Sequence, residues 1–80
     1  MIGQIVCSAA GRDRGRFMVI VGEKGGFPLV CDGKERPIQR PKRKNPKHLI
    51  FTEAFIESVG FETNRSLRRA LREFGGKQEL

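Results

Sequence analysis

The chain has 80 residues and a net charge of +7, from 16 Lys and Arg against nine Asp and Glu, with six Phe and neither Trp nor Tyr. A chain this short forms one domain and buries only about 60% of the surface its unfolded form exposes, so its small core of Phe and aliphatic residues leaves little spare stability for an elaborate catalytic pocket. The longest apolar run, Phe17 to Val21, is far short of the roughly 20 residues that span a bilayer.

Ile2 to Cys7 and Arg16 to Val21 are rich in Ile, Val and Phe and read as two strands, joined by the glycine-bearing, charged loop Ser8 to Gly15. In the second strand Phe17, Val19 and Val21 face one way and Met18 and Ile20 the other, so both faces are apolar; such a strand suits a small curled barrel or a sheet covered on both sides. Glu23 to Gly26 supplies a turn and Phe27 to Cys31 a third strand. Asp32-Gly33 predicts a tight hairpin, which would pair Phe27 to Cys31 with the segment around Pro37 to Arg40 on a sheet edge guarded by proline and charge. Leu49 to Phe51 predicts a last short strand that closes the barrel. From Thr52 the pattern turns helical: a short turn at Glu53 to Ile56, then a helix capped by Asn64 and stopped by Gly75. On that helix Leu67, Ala70, Leu71 and Phe74 share one side and Arg65, Arg68, Arg69 and Arg72 the other.

Charge is concentrated in one place. Lys34 to His48 holds seven of the 16 Lys and Arg residues against one acidic residue, Glu35. A basic stripe gathers polyanions and neutralises phosphates, which points to a nucleic acid. The run is internal and punctuated by Pro37, Pro41 and Pro46, so it is expected to lie as a stiff, extended arm, with Arg36, Arg40, Lys42, Arg43, Lys44, Lys47 and His48 as candidate phosphate contacts. The helix arginines Arg65, Arg68, Arg69 and Arg72 are either a solvated face or a further set of contacts. Cys7 and Cys31 sit in apolar, strand-like stretches and are expected to be reduced core residues. Two cysteines and one histidine without CxxC or HxxxH spacing argue against a metal site. The start MIGQIV lacks the pattern of a secretory signal, so a cytoplasmic location is expected.

The stretch from Gly3 to Val21, an apolar strand, a charged loop with a glycine at its tip and a second apolar strand, resembles a KOW motif. With the later segment RPKRKNPKHL, the chain is similar to the small KOW-domain proteins of the archaeal and eukaryotic large ribosomal subunit and their bacterial relatives, over roughly residues 3 to 51. The resemblance implies an SH3-like β-barrel, placed at 1–52 with the basic arm, and binding of ribosomal RNA through the loop Gly11 to Arg16; the helical pattern that follows makes 53–80 a C-terminal extension. The residue chemistry agrees: Gly11 and Gly15 can take positive φ, while Arg12, Arg14 and Arg16 can make bidentate bonds to phosphate. Asp13 has two open readings, pairing with a neighbouring arginine to hold the loop or accepting from a base or 2′-hydroxyl.

The expected fold is thus mainly β, a small SH3-like barrel with a C-terminal helical extension, and the expected function is non-catalytic binding of structured RNA. The phenylalanines are expected in the core, leaving no aromatic platform for stacking single-stranded bases. His48 lies in a basic run without a nucleophile or carboxylate partner, so no enzyme and no cofactor are expected. The protein is expected to be monomeric when free. A protein-interaction module of the transcription or translation machinery and a DNA-binding protein remain as alternatives, since fold does not fix function and phosphate contacts do not distinguish the polymers.

Overall fold

Five antiparallel strands form one sheet in the computed structural model, which describes the backbone of residues 1–78 and the side chains of residues 1–75. They are β1 (Gln4–Ser8), β2 (Phe17–Lys24), β3 (Phe27–Cys31), β4 (Lys42–Arg43) and β5 (Leu49–Phe55), in the order β4-β3-β2-β1-β5. One α-helix, α1 (Asn64–Gln78), follows. The last two residues of the 53–80 extension lie outside the described residues. Among those described, no helix is long and apolar enough to cross a membrane, and no group of three His, Cys, Asp or Glu side chains is placed to hold a metal ion.

The alternation read along β2 divides the core in two. Val19 joins Ile5 of β1, Cys31 of β3 and Leu67 and Leu71 of α1 on one face. Met18 and Ile20 join Val6, Val30 and Leu49 on the other. The second cluster is as dry as the first, with Val6 and Val30 at 0% exposure, although no helix covers it; the sheet therefore curls over it in a barrel-like way. Register shifts between Ile20 and Gly22 in β2 and between Gln4 and Val6 in β1 provide the bends. Phe74 of α1 meets Phe17 edge to face, with centroids 5.1 Å apart, and fixes the far end of the helix on the sheet.

Three expectations are corrected. Glu53 to Phe55 continue β5 instead of forming a helical turn, because Gln4 pairs with Phe55, its side-chain amide donates to the Thr52 carbonyl (2.8 Å) and the Thr52 hydroxyl donates to the Ile5 carbonyl (2.7 Å); the ladder overrides local helix preference. The 3₁₀ turn falls later, at Ser58–Phe61. Asp32-Gly33 does not make a two-residue hairpin. The Asp32 carboxylate accepts from the backbone of Lys34 and Arg36, both at 2.9 Å, which opens the reversal into a loop, and pairing resumes only at Leu29 with Arg43 and Val30 with Lys42. The last strand expected at Leu49 to Phe51 is present as β5 and pairs with β1, leaving β4 and β5 as the edges of the sheet. Finally, Thr63 caps α1 in place of Asn64: its hydroxyl accepts from Ser66 N–H (3.0 Å) while Ser66 Oγ lies 3.3 Å from Thr63 N, a reciprocal arrangement, and the helix runs through Gly75.

Candidate nucleic-acid interface

The β1–β2 loop closes on its own backbone. Gly11 and Gly15 take φ of 84° and 85°, Gly15 N–H donates to the Ser8 carbonyl (2.7 Å) and Arg16 N–H to the Asp13 carbonyl (2.9 Å). This turns Arg12 and Arg14 into solvent and Asp13 inward. Asp13 Oδ1 accepts from Lys44 Nζ and lies 2.7 Å from both that atom and Ser8 Oγ, while Lys44 Nζ also donates to the Ala10 carbonyl at 3.1 Å. Lys42 Nζ stands 3.9 Å from Asp13 Oδ2. Burial alone would raise the Asp13 carboxyl; the hydrogen bonds from Lys44 and Ser8 and the charges of both lysines outweigh it and hold the carboxyl below its ordinary value.

Asp13 therefore holds the loop's shape, through lysines of the arm and not through a neighbouring arginine. Lys44, expected among the phosphate contacts, is 6% exposed in its side chain and acts as an internal strut between arm and loop.

The arm is pinned at several points. Arg16 Nη1 donates to Asp32 Oδ2 (3.2 Å), the carboxylate that also organises the start of the arm. From α1, Asn64 Oδ1 accepts from Ile38 N–H (2.7 Å), Asn64 Nδ2 donates to Gln39 Oε1 (2.9 Å), and Arg68 Nη1 donates to the Gly33 carbonyl (2.7 Å). Gly33 has φ of 80°, and a Cβ there would sit 2.6 Å from the Asn64 carbonyl oxygen, so only glycine permits this approach. Farther along, Lys44 N–H donates to the Pro28 carbonyl.

Loop and arm meet at a cleft of about 210 Å³ whose walls are Arg12, Arg16, Arg36 and Lys42, with Met18 and Asp13 behind them and Glu35 also lining it. A second cleft, about 670 Å³, is walled by Arg16, Lys34, Arg68 and Arg72 over Phe17 and Leu71, with Asp32, the partner of Arg16, also lining it. Arg16 belongs to both, so seven cations form one strip. Arg12, Arg36, Lys34 and Arg72 have no carboxylate within 4.0 Å among the described residues. Unneutralised cations over partly apolar walls focus a positive potential, and guanidinium groups can grip phosphate oxygens two at a time.

The other candidates lie off these clefts. Arg14 is exposed in the loop and Arg40 in the turn after Pro37. Arg43 lays its guanidinium 5.4 Å from the centre of the Phe27 ring. Lys47 and His48 occupy a 3₁₀ turn, Pro46–His48, joined to the β1–β2 loop by the bond from Ala9 N–H to the His48 carbonyl (2.8 Å). Arg69 stands 3.7 Å from Glu73, and neither it nor Arg65 lines the two clefts. The helix stripe is thus divided: Arg68 and Arg72 belong to the strip, Arg65 and Arg69 do not. Sequence reasoning placed Lys34 in the basic run without naming it as a contact, and read Asp32 as a hairpin residue and Asn64 as a helix cap, not as parts of the site. For Asp32 a signal existed, because aspartate before glycine readily bonds the backbone two residues on.

No protein-family model and no curated protein matches the chain.

Proposed function

We propose that this protein binds folded RNA, with ribosomal RNA the foremost candidate, by seating backbone phosphates along the strip from Arg12 and Arg36 through Arg16 to Lys34, Arg68 and Arg72, and that it does so without catalysis. The observation that carries this reading is the convergence of the β1–β2 loop and the distant basic arm on one cleft. The KOW resemblance of Gly3 to Val21 supports it independently. The struts from Lys44, Asp32 and Asn64 fix the cations before binding, which lowers the entropy lost on association. A rigid array of charges suits the fixed phosphate geometry of folded RNA better than a flexible single strand.

Two phenylalanines depart from the expectation of a core role: Phe51 and Phe55 are 46% and 57% exposed on β5. They offer no stacking platform to RNA, because from Leu49 to Thr63 the chain carries three glutamates and no Lys or Arg, a segment that repels phosphate. Competition binding tests the reading. A folded large-subunit rRNA fragment should displace a labelled copy of itself at far lower concentration than single-stranded RNA or duplex DNA of equal length. Equal or better displacement by either would overturn it.

A further inference from the structure

The large apolar side chains most open to solvent are Met1, Ile2, Ile50, Phe51, Phe55 and Val59. All belong to the N-terminus, β5 or the 3₁₀ turn Ser58–Phe61, and none lines the basic clefts. The two sheet edges are built differently. β4 is two residues long, both cationic, and follows Pro41, the usual protection of an edge. β5 has seven residues and a single charge, Glu53. Near it opens a groove of about 440 Å³ walled by Met1, Ile2, Ile20, Pro28, Pro46 and Phe51, with Glu23 as its acidic side chain. Ile20 belongs to the buried cluster inside the curl, so the groove gives access to the apolar interior of the sheet.

We propose that β5 and this groove dock an extended segment of another protein, in which a bulky apolar side chain is flanked by lysine or arginine. The segment's backbone pairs with the open edge of β5, as in strand addition to other exposed edges; its apolar side chain enters the groove between Ile2 and Phe51, and cations two residues to either side, on the same face of the strand, reach toward Glu23 and Glu53. Charge selects this occupant. Nucleic acid and acidic peptides would meet the carboxylates of Glu23 and Glu53 here, whereas a cationic segment is drawn to them. A second copy of the chain brings a net +7 against +7 and sets the Glu53 residues of two like-charged strands near each other, which opposes pairing. This surface is separate from the proposed RNA strip and does not depend on it.

The test titrates isotope-labelled protein with the blocked peptide acetyl-Thr-Lys-Thr-Leu-Thr-Lys-Thr-amide, whose lysines share the leucine's face in a strand, and with its glutamate counterpart, reading backbone amide shifts. The lysine peptide should shift Ile2, Ile20, Glu23 and the β5 amides, and the glutamate peptide should leave them unmoved. Ile2→Lys and Glu23→Lys, both at exposed positions, should keep a folded spectrum and unchanged RNA binding while weakening the peptide by about tenfold or more. Absence of β5 shifts, equal β5 shifts from both peptides, or unchanged peptide affinity in both variants would overturn the proposal. So would a sedimenting dimer that buries Ile2 and Phe51, which would make the occupant a second copy.

Discussion

Replacing Lys44 by methionine separates a strut from a phosphate contact. The substitution keeps the stem's bulk and removes an ammonium that sits 2.7 Å from Asp13 Oδ1 and 3.1 Å from the Ala10 carbonyl. Removing one partner of a buried pair costs about 3–5 kcal/mol because the other charge is left uncompensated. Asp13 keeps Ser8, a more distant Lys42 and 14% exposure of its side chain, which places the expected cost at the lower end, about 3 kcal/mol. That is a large share of the roughly 4–12 kcal/mol expected of a domain this size. Asp13→Asn, which strands Lys44 instead, should cost a similar amount. The double variant should cost about 3 kcal/mol as well, well short of the sum of the singles, giving a coupling of about 3 kcal/mol in a urea-denaturation cycle. In RNA titrations performed where each variant is folded, Lys44→Met should weaken binding while leaving the salt dependence unchanged, since the buried ammonium does not displace counterions. Additive costs within about 0.5 kcal/mol would refute the pairing. A shallower salt slope for Lys44→Met would refute its internal role.

Asn64→Ala should free the arm without touching RNA: the Ile38 amide should lose hydrogen-exchange protection, and RNA affinity should fall severalfold at constant salt slope. Glu35→Gln should tighten RNA binding about twofold, the effect of removing one solvent-screened negative charge about 8 Å from a phosphate, and titration at low salt checks it. The depressed Asp13 carboxyl gives a pH dependence of defined sign. Near and below its ordinary value of 3.8 the unfolded chain holds the proton more firmly than the folded one. The stability contributed by the pair is therefore complete well above pH 3.8 and is lost as pH falls through the depressed folded value. The stability difference between wild type and Asp13→Asn should be flat from pH 6 to 8 and shrink in acid denaturation below about pH 4.

The β-rich fold was legible because β2 announces two apolar faces over Phe17 to Val21, and both faces are filled, one by α1 and one by the curl of the sheet. The glycines of the β1–β2 loop were legible for the same local reason: Gly11 and Gly15 take the positive φ that only glycine adopts freely. What the sequence hid is non-local. Asp13 and Lys44 are 31 residues apart, and nothing in either neighbourhood shows that the one acid in the loop has a lysine of the arm as its partner. Asn64 carries a helix-cap signature, yet its side chain serves Ile38 and Gln39 across the fold, and the cap passes to Thr63. Glu53 to Phe55 read as helical by composition but continue a strand because β1 offers them a ladder. Phe51 and Phe55 look like core residues by type; their exposure follows from their place on the last strand of the sheet.

The central claim is that Arg12 and Arg36, from segments far apart in the chain, act together on phosphate. Measuring the affinity for a folded rRNA fragment over a range of salt, in wild type, Arg12→Gln, Arg36→Gln and the double variant, addresses it directly, because neither arginine pairs with a carboxylate in the described structure. Each substitution should reduce the slope of log affinity against log salt by about 0.7 to 0.9, and the double variant by about twice that. Slopes identical to wild type in all three variants would contradict the account.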